Sequence, residues 1–319
     1  MSYTSKIKDE ISLKDTDYTK TEMIAELSGF IRNNGVIKDN SILLTSENKN
    51  IIKRLTNFIQ VLYKTNPEIN KVENLNFSKQ DLYQIKISNK DILKDIGYYD
   101  EKDNYLKNPP SYILDDTGSI KAYLKGAFFC TGSINDPKTS RYHMELVIKM
   151  PDEAVFIQKL LNTFDLNAKI LNRDKNYMIY IKEAEKISDF IKIIDATKAV
   201  LYYEDIRVYR DEKNITNRLN NCEQANIEKV IANANKELED IRLLEETETL
   251  SLLDDKVLLA VKYRKKYPEA SLKDLAELIS KDTNNKITKS GLNHRLRKMK
   301  DLAKRIRKNL KENKNTWYN

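Results

Sequence analysis

Through the first two hundred residues apolar positions recur at two periods, every third or fourth residue in some stretches and every second residue in others. The first period predicts helices and the second half-buried strands. In order, the pattern gives a helix over Thr21–Asn33, a strand over Ile42–Thr45, a helix over Lys49–Tyr63, strands near Lys71–Leu75 and Tyr83–Ile87, and a short helix over Lys90–Ile96. The same order then returns: helix Ser119–Cys130, strand Met144–Ile148, helix Asp152–Phe164, strands Ala168–Leu171 and Tyr177–Ile181, helix Glu183–Ile194. Alternation in MELVIKM and YMIYIK supports the strands. Pro109, Pro110 and Gly118 punctuate the join between the two halves. A duplicated module of mixed helix and strand is the economical reading, which places the fold in the α+β class.

Beyond this region the pattern becomes purely helical. From Asn217 to about Leu250, residues Leu219, Ile227, Val230, Ile231, Leu238, Ile241 and Leu244 recur at helical spacing. Acids outnumber bases twelve to five between Asp211 and Asp255. Such a connector could fold back on a basic neighbour, but a solvated linker face is the plainer account. Three compact helices follow: Asp254–Lys266, Leu272–Ile279 after Ser271 as N-cap, and Lys289 to about Arg307 after Thr288 as N-cap. Pro268 separates the first two. The eight residues Ser280–Ile287 predict a longer turn than the three or four of an ordinary helix-turn-helix.

Charge sharpens this division. Thr288–Asn319 holds eleven Lys and Arg against two acids, whereas the other 287 residues hold 45 basic and 46 acidic side chains. The net charge of +8 is therefore concentrated at one end, and residues 1–205 are balanced at 30 of each sign. A surplus confined in this way points to a polyphosphate partner, because neutralised phosphates release condensed counterions. The opening twenty residues lack an apolar core for a signal peptide, and Val257–Val261, the longest aliphatic run, cannot span a bilayer. The expectation is a cytoplasmic, nucleoid-associated protein with no membrane partner. Cys130 and Cys222 suit neither a disulfide framework nor a zinc spacing, and two histidines, His143 and His294, exclude a multi-histidine metal site on count. No cofactor is implied. Cys130 and Cys222 read as small fillers, His143 as a partly buried, hydrogen-bonded side chain, and Tyr202 and Tyr203 as packing residues.

On the last helix Leu292, Leu296, Met299, Ala303 and Ile306 share one face, the side expected to pack. The opposite face carries Ser290, Asn293, His294 and Arg297 in its first turns, flanked by Lys289, Arg295, Lys298, Lys300, Lys304 and Arg305. A helix that reads the major groove has this composition: residues near its N-terminus meet base edges while flanking cations hold phosphates. Arg297 suits a guanine and Asn293 an adenine. A merely solvated surface helix is the alternative, although solubility does not call for so concentrated a surplus. Double-stranded DNA is the expected partner.

Two nine-residue segments open the duplicated halves: LSGFIRNNG, Leu27–Gly35, and LKGAFFCTG, Leu124–Gly132, 97 residues apart. Both resemble the LAGLIDADG motif of homing endonucleases. The resemblance implies two αββαββα units about a pseudo-two-fold axis, with the motif helices packed along it and Gly29 and Gly126 permitting their approach. The motif's eighth residue, in that family an acid that binds the divalent metal, is here Asn34 in one copy and Thr131 in the other. Neither is an anionic ligand, and two-metal phosphodiester chemistry needs carboxylates, so no catalytic residue and no metal are expected.

The opening SYTSKIKDEI, the degenerate motif pair, RLNNCEQAN (Arg218–Asn226), SLKDLAELI and TKSGLNHRLRKM together resemble the bacterial WhiA family over nearly the whole chain. The resemblance implies a non-enzymatic, sequence-specific DNA-binding transcriptional regulator acting in cell division, chromosome segregation or sporulation. RNA polymerase or another transcription regulator is the candidate protein partner. The expected organisation is a degenerate LAGLIDADG-like domain over 1–205 with repeats at about 18–100 and 115–205, an acidic helical linker over 206–252, a helix-turn-helix domain over 253–312 and a tail over 313–319. Two alternatives stay open: an active endonuclease using carboxylates outside the motif such as Asp39 or Asp136, and an interaction scaffold of the transcription or division machinery.

Overall fold

The structure, a computed structural model, describes residues 2–14, 17–38, 41–72, 81–88 and 91–316, with side chains as far as 310 and not at 38. Residues 73–75 of the strand expected near Lys71–Leu75, Lys90 of the next helix, Asp39 and Trp317 lie outside them. Two compact units divide the chain, Met1–Asp211 and Glu212–Asn319.

The first unit opens with α1 (Tyr3–Ser12), which buries Tyr3, Ile7 and Ile11, one residue per helical turn. The first repeat is then α2 (Lys20–Asn34), β1 (Val36–Lys38), β2 (Ser41–Ser46), α3 (Lys49–Tyr63), β3 (Ile69–Val72), β4 (Leu82–Ile87) and α4 (Asp91–Asp95). The second is α5 (Thr117–Thr131), β5 (Gly132–Ile134), β6 (Met144–Ile148), α6 (Pro151–Thr163), β7 (Lys169–Arg173), β8 (Asn176–Ile181) and α7 (Ala184–Ile193). Each repeat forms a four-stranded antiparallel sheet, ordered β1-β2-β4-β3 and β5-β6-β8-β7. The duplicated α+β architecture read from periodicity is present. Missing from that reading are α1 and the three-residue strands β1 and β5, which are too short to show alternation.

The two repeats meet at α2 and α5. A capping box between Thr19 and Glu22 starts α2, and Asp116, accepting from the Ser119 amide, starts α5. These helices are buried nearly all round, from Ala25 to Ile31 and from Ala122 to Phe129. At their crossing the backbones touch. A Cβ on Gly29 would stand 2.2 Å from the Tyr123 carbonyl oxygen, and one on Gly126 would stand 2.1 Å from that of Glu26. Polar anchors flank the crossing. Arg54 donates to both carboxylate oxygens of the buried Glu26, at 2.5 and 2.9 Å. Arg32 pairs with Glu153 at 2.9 Å, and Glu153 also accepts from the Tyr123 hydroxyl. The remaining guanidinium nitrogens of Arg32 donate to the carbonyls of Gly97, Leu106 and Lys107. Arg32 and Glu153 come from different repeats, so this pair joins the halves.

The second unit contains the C-terminal part of α8 (Thr197–Glu246), then α9 (Asp255–Lys266), α10 (Leu272–Thr283) and α11 (Lys289–Thr316). Three expectations are corrected here. Helix α8 begins at Thr197, twenty residues before the periodicity at Asn217. Helix α10 runs on to Thr283 and ends at Asn284 in a left-handed conformation, so the connection to α11 is shorter than eight residues. The acidic stretch is solvated only in part: residues 212–229 are exposed, but Ala234, Glu237, Asp240, Ile241 and Leu244 are buried, and Ile241 and Leu244 join the core of α9, α10 and α11. A boundary at 252/253 would cut through that core.

Gly126→Ala is expected to lower stability by about 3 kcal/mol, the upper end of overpacking costs, because the obstruction is backbone that cannot rotate away. Urea unfolding of the first unit measures this, and an unchanged midpoint would show that the helices are not in backbone contact.

Candidate nucleic-acid interface

Helix α11 starts as its sequence dictates. Thr288 caps it, its hydroxyl accepting from the Gly291 amide at 3.1 Å. Leu292, Leu296, Met299 and Ala303 are fully buried, and Ile306 packs at the margin. Against this face α9 is held by Asp254 as N-cap and α10 by a capping box between Ser271 and Asp274. The Ser280 hydroxyl, accepting from the Ile287 amide at 2.8 Å, fastens the turn that leads into α11.

The ten residues singled out on α11 divide into two groups. Ser290, His294, Arg297, Lys304 and Arg305 are exposed on the side opposite the buried stripe. Among the described residues none of Arg297, Lys304 and Arg305 is paired with a carboxylate. The others turn toward α8 and α9 or sit at the margin. Lys289, Asn293 and Lys300 line a cleft of about 430 Å³ together with Asn233, Glu237 and Lys273. Lys300 pairs with Glu237 at 2.9 Å, Lys298 pairs with Asp254 at 3.2 Å, and Arg295 is partly buried. Asn293 is exposed like Ser290, His294 and Arg297 and also borders the cleft.

Glu237 is the residue that sequence reasoning missed. Its carboxylate is 1 % exposed and stands 2.7 Å from Nε of the buried Arg264, whose Nη1 donates to the Ala270 carbonyl. One turn on, Asp240 pairs with Arg307 at 2.5 Å. The acidic face of α8 therefore neutralises cations of α9 and α11. The signal was present: Glu237 and Asp240 sit one position before Leu238 and Ile241, on the flank of the apolar stripe.

In the first unit the two positions where LAGLIDADG enzymes place metal-binding acids are engaged internally. Asn34 Oδ1 accepts from the Thr45 amide at 3.0 Å, and the Thr131 hydroxyl donates to the Ala127 carbonyl at 2.7 Å. No group of three or more His, Cys, Asp or Glu side chains converges among the described residues. Asp136 closes a turn onto the Lys138 amide and accepts from the Tyr202 hydroxyl at 3.0 Å, and Asp39 lies outside the described residues. Burial pushes the Cys130 thiol up to about 12, against the pull of Lys8, which disfavours the thiolate. His143 meets Glu145 at 3.1 Å, the bonded role expected of it, and Tyr203 is buried. Among the described residues no helix is long and apolar enough to cross a membrane.

A duplicated LAGLIDADG-like scaffold without its metal-binding acids, joined to a helix-turn-helix unit, defines the class. Residues 20–99 match the WhiA N-terminal LAGLIDADG-like domain, 120–213 the WhiA LAGLIDADG-like domain and 216–303 the WhiA C-terminal HTH domain. The chain belongs to the WhiA family. It is 38 % identical over 313 residues to the probable cell division protein WhiA of Staphylococcus epidermidis, covering 96 % of this chain and 98 % of that one. It is 37 % identical over 318 residues to that of Bacillus cytotoxicus, with the same coverage. The crystal structure of full-length DUF199/WhiA from Thermatoga maritima has the same fold, with a TM-score of 0.56 at 21 % identity over 96 % of this chain and 98 % of that one.

Glu237→Ala strands the buried Arg264 guanidinium and is expected to destabilise the second unit by about 3 to 5 kcal/mol, whereas Glu237→Gln, which keeps volume and one acceptor, costs less. Calorimetry on the full chain resolves the order. Equal, small losses for both would mean that the pair is solvated.

Proposed function

We propose that this protein is a non-enzymatic, sequence-specific DNA-binding transcriptional regulator, cytoplasmic and nucleoid-associated, acting in cell division, chromosome segregation or sporulation. The observation that carries the reading is the exposed face of α11: Ser290, His294 and Arg297 within three turns of its N-cap, with Lys304 and Arg305 beyond them. Such a helix enters the major groove with its first turns on base edges and its later cations on phosphates. Arg297 forks onto a guanine. Lys304 and Arg305 hold the backbone without reading sequence, and Lys289, Asn293, Arg295, Lys298 and Lys300 border the site. The relatives' name, probable cell division protein, supports the process.

The first unit, with balanced charge over residues 1–205, serves protein contacts in this reading, with RNA polymerase or another transcription regulator as partner. It cuts nothing, since Asn34 and Thr131 cannot fix divalent ions. Supercoiled plasmid incubated with the protein and Mg²⁺ is expected to stay supercoiled. Specific nicking that a carboxylate substitution abolishes would overturn the non-enzymatic assignment.

Arg297→Ala is expected to cost about 1 to 3 kcal/mol on the preferred duplex and to relax base preference, whereas Lys304→Ala weakens all duplexes alike and reduces the salt slope by about one unit. Fluorescence anisotropy across salt concentrations separates them. A uniform loss from both variants would remove α11 as the reading helix.

A further inference from the structure

The first unit contains a cavity of about 980 Å³ where the ends of the two motif helices meet α1 and the start of α3. Asn34 and Cys130 reach it from the motif helices, Ser5 and Lys8 from α1, Asn50 from α3 and Tyr83 from β4. Of the two positions that correspond to the motif's acid, Asn34 lines it and Thr131 does not.

One cation of its lining is Lys8. Its ammonium is partly buried, lies 5.4 Å from the centroid of the Phe128 ring, and among the described residues has no carboxylate at ion-pairing distance. Burial lowers its pKa, with Glu47 and Cys130 acting weakly against that shift. Three carboxylates, Asp9, Glu47 and Asp81, and a second cation, Lys49, also line the space. Asp9 accepts from the side-chain amides of Asn48 and Asn50, at 2.7 and 3.3 Å, and Asp81 pairs with Lys71 at 2.8 Å. Glu47 is the remaining carboxylate and Lys49, 5.8 Å from the Tyr83 ring centroid, the remaining cation. The first turn of α3, Lys49 to Ile51, also borders the space, with the Asn50 amide capped by Asn48 Oδ1 at 2.9 Å.

A partly buried ammonium with no carboxylate at ion-pairing distance, beside hydroxyl and amide donors and an aromatic wall, is a site for an anion that carries a flat or apolar body. We propose that this cavity binds a small phosphorylated ligand of mononucleotide size, its phosphate on Lys8 and its body against Tyr83. The space is within the range of small-molecule pockets. The proposal stands independently of DNA binding by α11. It gives the cavity a role as an effector site.

The test is isothermal titration of the full chain with AMP, GMP and inorganic phosphate, on the natural sequence and two variants. Lys8→Met keeps the aliphatic stem over Phe128 and removes the charge. Ser5→Glu places a carboxylate at the cavity wall at the third position of α1, where an acid favours the helix and the fold is retained. A nucleotide that binds the natural chain is expected to lose about tenfold or more in affinity in each variant. Lys6→Met, on the exposed side of α1 and outside this cavity, leaves binding unchanged. Absence of binding by any of the three probes at millimolar concentration overturns the proposal, as does affinity unaltered in both variants. Duplex binding, followed in parallel by anisotropy, distinguishes the source of phosphate. If Lys8→Met weakens duplex binding while the mononucleotides do not bind, the DNA backbone is the ligand and the effector site is refuted.

Discussion

Everything in the first unit depends on two helices crossing with their backbones in contact. Side chains normally hold packed helices 8 to 10 Å apart, so a closer crossing requires glycine on both at the point of contact. Gly29 and Gly126 meet the carbonyls of Tyr123 and Glu26 there, and no larger residue fits without moving the helices. The two sheets, each following its own motif helix, take their mutual placement from this crossing. The ion pairs around it confer registry more than net stability: removing one partner of Glu26–Arg54 or Arg32–Glu153 would strand a buried charge, whereas the intact pairs roughly balance desolvation against attraction.

That constraint does not depend on the residues at the helix ends. The packing residues of a LAGLIDADG helix lie in its middle turns, and the metal-binding acid lies at its end. Exchange of that acid for Asn34 or Thr131 leaves Gly29, Gly126 and their neighbours untouched. Both residues also satisfy backbone groups, Asn34 the Thr45 amide and Thr131 the Ala127 carbonyl, so the helix ends have internal partners.

Legibility in the sequence followed element length and the one-sidedness of burial. Long amphipathic or alternating segments such as α3, α6, β6 and β8 stood out because one face is apolar and the other wet. The three-residue β1 and β5 exist because a neighbouring strand supplies their hydrogen bonds, which no local pattern records. Helix α1 is legible from Tyr3, Ile7 and Ile11, one turn apart, but it precedes the first repeat and has no counterpart in the second. The start of α8 at Thr197 was hidden because residues 201–216 mix exposed apolar and charged side chains with no single apolar face. On α11 the buried stripe was read correctly from spacing alone. The fate of its cations was not, because Glu237 and Asp240 meet them only once α8 packs against the other helices.

This last contact changes what the basic surplus means. Counted along the chain, eleven cations form one undivided patch. In the folded unit Lys298, Lys300 and Arg307 are each paired with an acid, two of them with α8 and one with the N-cap of α9. These pairs offset positive charge on the flanks of α11, while Arg297, Lys304 and Arg305 on its outer face keep theirs. A field confined to one side orients a duplex at approach, whereas a uniformly cationic helix would attract it from every direction. Acidic residues upstream of a basic domain thus offset part of its charge, and a composition that nearly cancels outside residues 288–319 still leaves a cationic outer face on α11.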